Sequence, residues 1–319
     1  MSHKRKFQRN QTSVAATATV TQLPLKQPPV EVEAESAVPA DRKRFAFVMT
    51  CMSRLDHVKQ SVPKLLENQA IDGKNNFLVF VDYYCPQHSG RWVAQNYGPR
   101  VHVIDMSRVS PLPPGAPPPA FNKPTALNSG ALFAVSELGA DYLVFIDADT
   151  LATPGLLSYL FNYVSLGQFY IFAPSHKAHL RDLTGFLALH KRYFVRVNGY
   201  DVGFKGWGAE DLDMRVRLYL YGKTPSYEPK GALKDPHRYT LSWGEIPHIL
   251  ASSIPHEDDR RVANYEHKDK DDSHELNLNL LCNNIFNLLG FHPVDLHESP
   301  IGPSIRRLLG MEVLPFTRD

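Results

Sequence analysis

Tyr142-Leu143-Val144-Phe145-Ile146-Asp147-Ala148-Asp149 is the stretch that decides how this chain is read. Five apolar residues end abruptly in a pair of carboxylates. That pattern reads as a strand buried on both faces, with its C-terminal end opening on a polar site. Working outward, Phe45-Ala46-Phe47-Val48-Met49-Thr50 and Phe77-Leu78-Val79-Phe80-Val81 have the same character, and the second also stops at a carboxylate, Asp82. Val101-His102-Val103-Ile104 supplies a further strand.

Helical patterns separate these runs. Val58, Val62, Leu65 and Leu66 recur at three- and four-residue spacings, residues 91–97 read as a helix, and so do residues 125–138. Residues 110–120 carry six prolines and a glycine, the composition of a loop or lid. Strands alternating with helices predict an α/β fold, with a mostly parallel central sheet flanked by helices on both faces. In such sheets ligands bind beyond the carboxyl ends of the strands, where Asp82, Asp147 and Asp149 stand. Neither GxGxxG after the first strand nor GxxxxGK[ST] is present. A nucleotide bound here would need a metal to help hold its phosphates.

Asp147 and Asp149 suit that task. Residues two apart in an extended segment face one side, and Mg²⁺ and Mn²⁺ take carboxylate oxygens together with substrate phosphates. The plainer reading is a turn, with residues 150–154 capping the next helix. A second acidic cluster, Glu210-Asp211-Leu212-Asp213, follows Gly206-Trp207-Gly208-Ala209. Asn198-Gly199-Tyr200-Asp201 reads as a turn, residues 203–208 as a mobile segment, and a helix is expected from about Ala209, with Leu212, Val216, Leu218 and Leu220 as its apolar positions. Acidic residues in a first turn are favoured by the helix dipole. Two roles remain open here: a capped helix with a packed Trp, or a base fixed at a helix start with Trp207 as a platform for a sugar ring.

These motifs, in this order and spacing, resemble a known family. Asn198-Gly199-Tyr200-Asp201 followed by Gly206-Trp207-Gly208-Ala209-Glu210-Asp211 looks like the signature of β-1,4-galactosyltransferase-like enzymes. The first half is similar to family 2 glycosyltransferases, through Thr50 to Arg54, Asp82, Lys123 with Ala126-Leu127-Asn128-Ser129-Gly130, and Asp147-Ala148-Asp149. The resemblance covers roughly residues 44–260. It implies a GT-A (Rossmann-like) fold in a single catalytic domain, and a metal-dependent inverting transfer of a hexose from a UDP-sugar to an acceptor hydroxyl. On that reading Asp211 is the catalytic base and Glu210 holds an acceptor or donor hydroxyl. Thr50, Arg54, Asp82, Lys123, Asn128, Asp147 and Trp207 bind the donor. Asp149 and His256 hold Mn²⁺ (or Mg²⁺). His248 and His237 are weaker choices for the histidine.

The chain departs from the galactosyltransferase pattern in three respects. Ala209 replaces a glycine, which bears on loop freedom and the sugar pocket, and Leu212 interrupts the acidic run. The secretory anchor and disulfide pattern of the animal enzymes are missing, so a cytoplasmic protein is expected. Composition agrees with that expectation. The 319 residues are 43% hydrophobic with a net charge of +2, enough for a core and too mild for a dedicated nucleic-acid binder. No run approaches a membrane span. Three cysteines, Cys51, Cys85 and Cys282, are too few for a disulfide framework and read as small buried apolar residues.

Residues 1–43 read as a disordered tail, basic at Lys4-Arg5-Lys6 and without usable periodicity. The catalytic domain is expected over 44–265 and a packed helical extension over 266–319, where Asp272-Ser273-His274-Glu275 resembles a capping box. The acceptor stays open among glycan, protein and a hydroxymethylated base in DNA. A non-catalytic sugar-nucleotide or glycan-binding module is the other class.

Overall fold

The computed structural model describes residues 43–163, 168–171, 183, 185–206, 208–223, 242–244, 250–254, 277 and 280–281. The chain divides into Met1–Ala37 and Val38–Asp319, and every described residue belongs to the second unit.

The long apolar runs become the centre of one sheet. β1 (Phe45–Cys51), β2 (Phe77–Asp82), β3 (Val101–Asp105) and β4 (Tyr142–Asp147) are mutually parallel, in the order β3-β2-β1-β4. Burial of every residue from Phe45 to Cys51 and from Phe77 to Asp82 explains why these runs show no polar alternation. Beyond β4 the sheet continues through β7 (Leu187–His190), β6 (Gln168–Ile171) and β8 (Ser242–Gly244). β7 is antiparallel to both β4 and β6, so the sheet is mostly parallel with one reversed strand, as the sequence implies.

The period-2 alternation of side chains sorts the core into two layers. Ala46 and Val48 face α4 (Lys123–Ser136), α6 (Lys191–Arg196) and α7 (Glu210–Lys223), whose Leu127, Tyr193 and Met214 are buried with them. Phe45, Phe47 and Met49 face α1 (Leu55–Leu66), α2 (Ser89–Tyr97) and α5 (Gly155–Tyr163), with Val62, Val93 and Leu160. α3 (Met106–Val109) is a single turn after β3. Helix α4 lies very close to the sheet at Gly130. A Cβ there would come within 2.5 Å of Val48 Cγ1 and 2.9 Å of Val81 Cγ2.

Register brings the chemistry to one edge. Thr50 is opposite both Val81 and Asp147, Cys51 is opposite Asp82, and Asp82 is opposite Asp105. The carboxyl ends of β1, β2, β3 and β4 therefore line up, as expected for a ligand edge.

Of residues 150–154, only Thr153 and Pro154 lead into the next helix, the Leu156 N–H donating to the Thr153 carbonyl at 3.0 Å. Thr150–Ala152 is a strand, β5, paired antiparallel with β9 (Ala251–Ser253), and α5 starts only at Gly155. A three-residue strand has too little length for its period to show in sequence. Ala148 and Asp149 form a turn rather than continuing β4, so the extended geometry expected of the Asp147–Asp149 pair is replaced by a tight bend. Residues 110–120 form no helix or strand, as their prolines dictate. The expected disordered tail lies outside the described residues, as does nearly all of 266–319; only Asn277, Leu280 and Leu281 are seen there, each helical. Among the described residues, no helix is long and apolar enough to cross a membrane.

Candidate active site

Two helix starts and one strand end meet at Lys123. Asn122 caps α4, its Oδ1 accepting the Thr125 N–H at 2.8 Å, which fixes Lys123 in the first turn. Helix α7 opens when the Ala209 carbonyl accepts the Asp213 N–H at 2.9 Å, putting Glu210 and Asp211 in its first turn. The Lys123 ammonium lies 2.8 Å from Asp147 Oδ1, 2.8 Å from Asp211 Oδ2 and 3.3 Å from Glu210 Oε1. Four of the residues singled out in the sequence thus form one cluster.

Its electrostatics are those of crowded carboxylates. Burial works against the charge on Lys123, but Asp147, Asp211 and Glu210 outweigh it and hold the amine well above the ordinary lysine value. Burial pushes Asp147 up, Lys123 pulls it back, and Asp149 adds repulsion. Asp211 is pushed up to about 7 by burial, against the pull of Lys123 and with repulsion from Glu210 and Asp147. Asp211 Oδ1 is buried and makes no hydrogen bond among the described residues. An unpaired buried acceptor costs about 1–3 kcal/mol, so its retention calls for a role.

A second cation stands behind the cluster. Arg215, on α7 one turn beyond Asp211, is only 1% exposed, and burial lowers its proton affinity while Asp211, Tyr200 and Asp147 raise it. Tyr200 is buried and held far above its ordinary value by that burial and by Asp211, so it stays a phenol. Lys123 and Arg215 are thus both set against Asp147 and Asp211.

The frame around the cluster is built from backbone contacts. Asn128 grips Tyr200 at both ends of its amide: Nδ2 donates to the Tyr200 carbonyl and Oδ1 accepts the Tyr200 N–H, each at 2.8 Å. Arg217 holds the same turn from α7. Its Nη1 donates to the carbonyls of Val197 (2.6 Å) and Gly199 (2.7 Å), while Asp213 Oδ2 accepts from Nε at 2.8 Å. Ser61 of α1 donates to the Ala148 carbonyl at 2.7 Å, and the Ile254 N–H donates to the Asp149 carbonyl at 2.8 Å. Gly185 lies flat against Asp147, where a Cβ would come 2.0 Å from Oδ2. Asn277 straddles the Trp207 position, its Nδ2 donating to the carbonyls of Lys205 (2.9 Å) and Gly208 (3.0 Å).

The remaining sequence-predicted residues are placed as follows. Thr50 is buried beside Asp147 in the sheet register. Arg54 is half-buried at the start of α1, where its carbonyl accepts the N–H groups of His57 and Val58. Asp82 is buried with both carboxylate oxygens engaged by backbone: Oδ1 accepts the Cys85 N–H at 2.8 Å and Oδ2 the Gly90 N–H at 2.7 Å. Burial raises its proton affinity and these two donors lower it again. Asn128 and Asp82 are therefore both occupied with backbone here. Trp207 and His256 lie outside the described residues, as do His237 and His248.

Sequence reasoning missed Ser61, Gly185, Arg215, Arg217 and Asn277. None stands in a recognisable motif; only the pairing of Asp213 and Arg217 four apart on a helix was visible as a pattern.

Carboxylate oxygens are the donors that a hard divalent cation takes. Among the described residues, no three His, Cys, Asp or Glu side chains already form a metal cage. Asp147 and Asp149 are the fitting pair, since their mutual repulsion is what a cation between them would relieve.

Residues 171–238 match the family described as the N-terminal domain of galactosyltransferase. Beta-1,4-galactosyltransferase 4 of Mus musculus is 32% identical over 132 residues, covering 38% of this chain and 35% of the mouse protein. Its Homo sapiens counterpart is 31% identical over 111 residues, covering 31% and 30%. The chain thus spans about a third of the length of these relatives. Among solved structures, Drosophila β1,4-galactosyltransferase 7 in complex with manganese, UDP-Gal and xylobiose aligns over 69% of this chain and 73% of its own, at 17% identity and TM-score 0.42. TarS of S. aureus aligns over 56% and 55%, at 12% identity and TM-score 0.40. On the sequence matches, the chain is similar to galactosyltransferases over part of its length.

Proposed function

We propose that this protein is a metal-dependent, inverting glycosyltransferase that moves a hexose from a UDP-sugar to an acceptor hydroxyl. One observation carries the reading: the Asp211 carboxylate is fixed by Lys123 through one oxygen while its other oxygen has no hydrogen-bond partner among the described residues. A general base needs that arrangement, being held in place yet able to accept a proton. A proton affinity near neutrality matches the base to its working pH.

On this reading Asp211 takes the proton of the acceptor hydroxyl. The acceptor oxygen forms a bond to the anomeric carbon as the bond from that carbon to the diphosphate breaks on the opposite face. UDP leaves, and the proton remains on Asp211. Glu210, beside Asp211 on the same helix turn, orients a sugar hydroxyl. Lys123 keeps Asp211 ionised until the acceptor arrives, and its position against Asp147 sets the donor end of the site. Asp149 with Asp147 would hold the divalent metal, which when bound neutralises charge building on the diphosphate. His256 is a further ligand on the family resemblance alone.

The names of the relatives favour galactose among the hexoses. UDP release from UDP-galactose, UDP-glucose and their N-acetyl forms, measured with and without Mn²⁺, tests the proposal. Mn²⁺-dependent turnover of one donor is the expected result. No turnover of any donor under any metal condition would overturn it.

A further inference from the structure

Cys51 ends β1, and Cys85 stands three residues past the end of β2, in the loop that leads to α2. The sequence reads both as inert apolar fillers, and both are indeed buried, at 1% and 4% exposure. Their surroundings are polar. The Ser89 hydroxyl lies 3.1 Å from Cys85 Sγ and 3.5 Å from Cys51 Sγ, so the two sulfurs share one hydroxyl. The Ser53 N–H donates to Cys85 Sγ at 3.3 Å. Two donors, the Ser53 N–H and the Ser89 hydroxyl, thus reach one sulfur, and the same hydroxyl oxygen accepts from the Cys51 thiol.

We propose that Cys85 and Cys51 are a reactive dithiol, with Cys85 the nucleophile and Cys51 the resolving thiol, which a hydroperoxide closes to a disulfide. The neighbouring Cys51 thiol, against burial and with Ser89 and Ser53 assisting, brings the Cys85 thiol down to about 4. Burial instead lifts Cys51 well above the ordinary thiol range. One thiolate and one protonated thiol joined through the Ser89 hydroxyl is the division of roles that this chemistry requires. Surrounding donors also separate Cys85 from an inert buried cysteine, whose apolar shell would raise its proton affinity.

The step balances with hydrogen peroxide as oxidant. The Cys85 sulfur attacks one peroxide oxygen, the O–O bond breaks, and hydroxide leaves and is protonated to water. The resulting sulfenic acid is attacked by the Cys51 sulfur. The S–S bond forms, the S–O bond breaks, and hydroxide leaves with the Cys51 proton as a second water. Two thiols are oxidised by two electrons and the peroxide is reduced.

Closure removes the thiolate that now accepts the Ser53 N–H. Ser53 sits in the left-handed region at φ 57°, between Thr50 and Arg54. Only this link to the donor end rests on the glycosyltransfer reading; the thiol chemistry does not.

The test needs no sugar. The full chain, kept native, is treated with hydrogen peroxide and followed by intact mass and peptide mapping. The mass is expected to fall by two hydrogens, with a Cys51–Cys85 cross-link that dithiothreitol reverses. In Cys51→Ser the reaction should stop at a sulfenic acid on Cys85, trapped by dimedone roughly tenfold faster than Cys51 is trapped in Cys85→Ser. A cross-link through Cys282, or equal reactivity of Cys51 and Cys85, would overturn the proposal. So would unchanged thiols in the native wild-type chain, a result that does not depend on how the variants fold.

Discussion

The Lys123 ammonium and the Asp211 carboxylate meet at 2.8 Å although 88 residues separate them in the chain. Each sits in the first turn of its helix, and each helix packs on the same face of the sheet. The contact therefore joins the two halves that the sequence motifs describe separately, the strand-end carboxylates and the acidic helix start. Replacing Asp211 by Asn keeps the shape and a hydrogen-bonding oxygen for Lys123 but removes the carboxylate proposed as the base. UDP-sugar binding by calorimetry should be retained, with turnover reduced by roughly 10²–10⁴-fold. Turnover at the wild-type level would remove Asp211 from the chemistry.

The elevated proton affinity of Asp211 also fixes a pH dependence. A base works only when deprotonated, so activity is present above the value of about 7 and is lost as pH falls through it. The kcat/KM profile should bend near neutrality and drop about tenfold per pH unit on the acid side. Lys123→Met removes the cation that opposes protonation, and the bend should move to higher pH. A profile that is flat from pH 5 to 8 (roughly the range over which an ordinary carboxylate stays ionised) would show that Asp211 is not the titrating group.

Asp149→Ala removes one carboxylate of the pair that suits a divalent cation. Donor affinity should become independent of Mn²⁺, while the Ile254 N–H keeps its acceptor, because it bonds the Asp149 backbone carbonyl, which the substitution retains. Titration of UDP with and without Mn²⁺ checks this. An unchanged Mn²⁺ effect would put the metal on other residues.

How much of this was legible depends on burial and length. β1, β2 and β4 were legible because strands covered on both faces must be apolar at nearly every position, and each ends at the polar edge. β6 and β7, four residues each, and β5, three, offer too few positions for a period to emerge. At the site, Asp147, Glu210 and Asp211 were found because carboxylates in clusters are informative, and Lys123 only through the family resemblance. Ser61 and Gly185 were not, since a serine in a helix or a glycine in a loop carries no signal until its neighbour is known. Asp82 and Asn128 show the opposite problem: polar residues at suggestive positions that here bind backbone.

Gly185 allows the Asp147 carboxylate to lie against the backbone. In Gly185→Ala the added methyl would sit 2.0 Å from Oδ2, so the carboxylate must turn away from Lys123. A displacement of about 1 Å at such a site costs on the order of 10²-fold in rate. The expected outcome is a folded protein with strongly reduced kcat and weakened Mn²⁺ response, read by circular dichroism and UDP release. Wild-type turnover in this variant would show that Asp147 tolerates the shift and has no fixed role.

Ala209 adopts φ 70° and is 8% exposed, at the point where the chain enters α7. The neighbouring Gly206 and Gly208 are also left-handed, at 72° and 94°. For an L-residue with a Cβ this conformation costs roughly 1–2 kcal/mol, and glycine adopts it freely. Glycine also adds about 0.4–1 kcal/mol of unfolded-state freedom. Relief of strain is the larger effect, so Ala209→Gly should stabilise the protein by up to about 1 kcal/mol, or ~2–4 °C in Tm. The same change loosens the entry to the helix that presents Glu210 and Asp211. Turnover should therefore hold or fall while Tm rises, a split visible by running thermal melts and UDP release on one preparation. A lower Tm would mean that the Ala209 methyl contributes more by packing than its backbone strain costs.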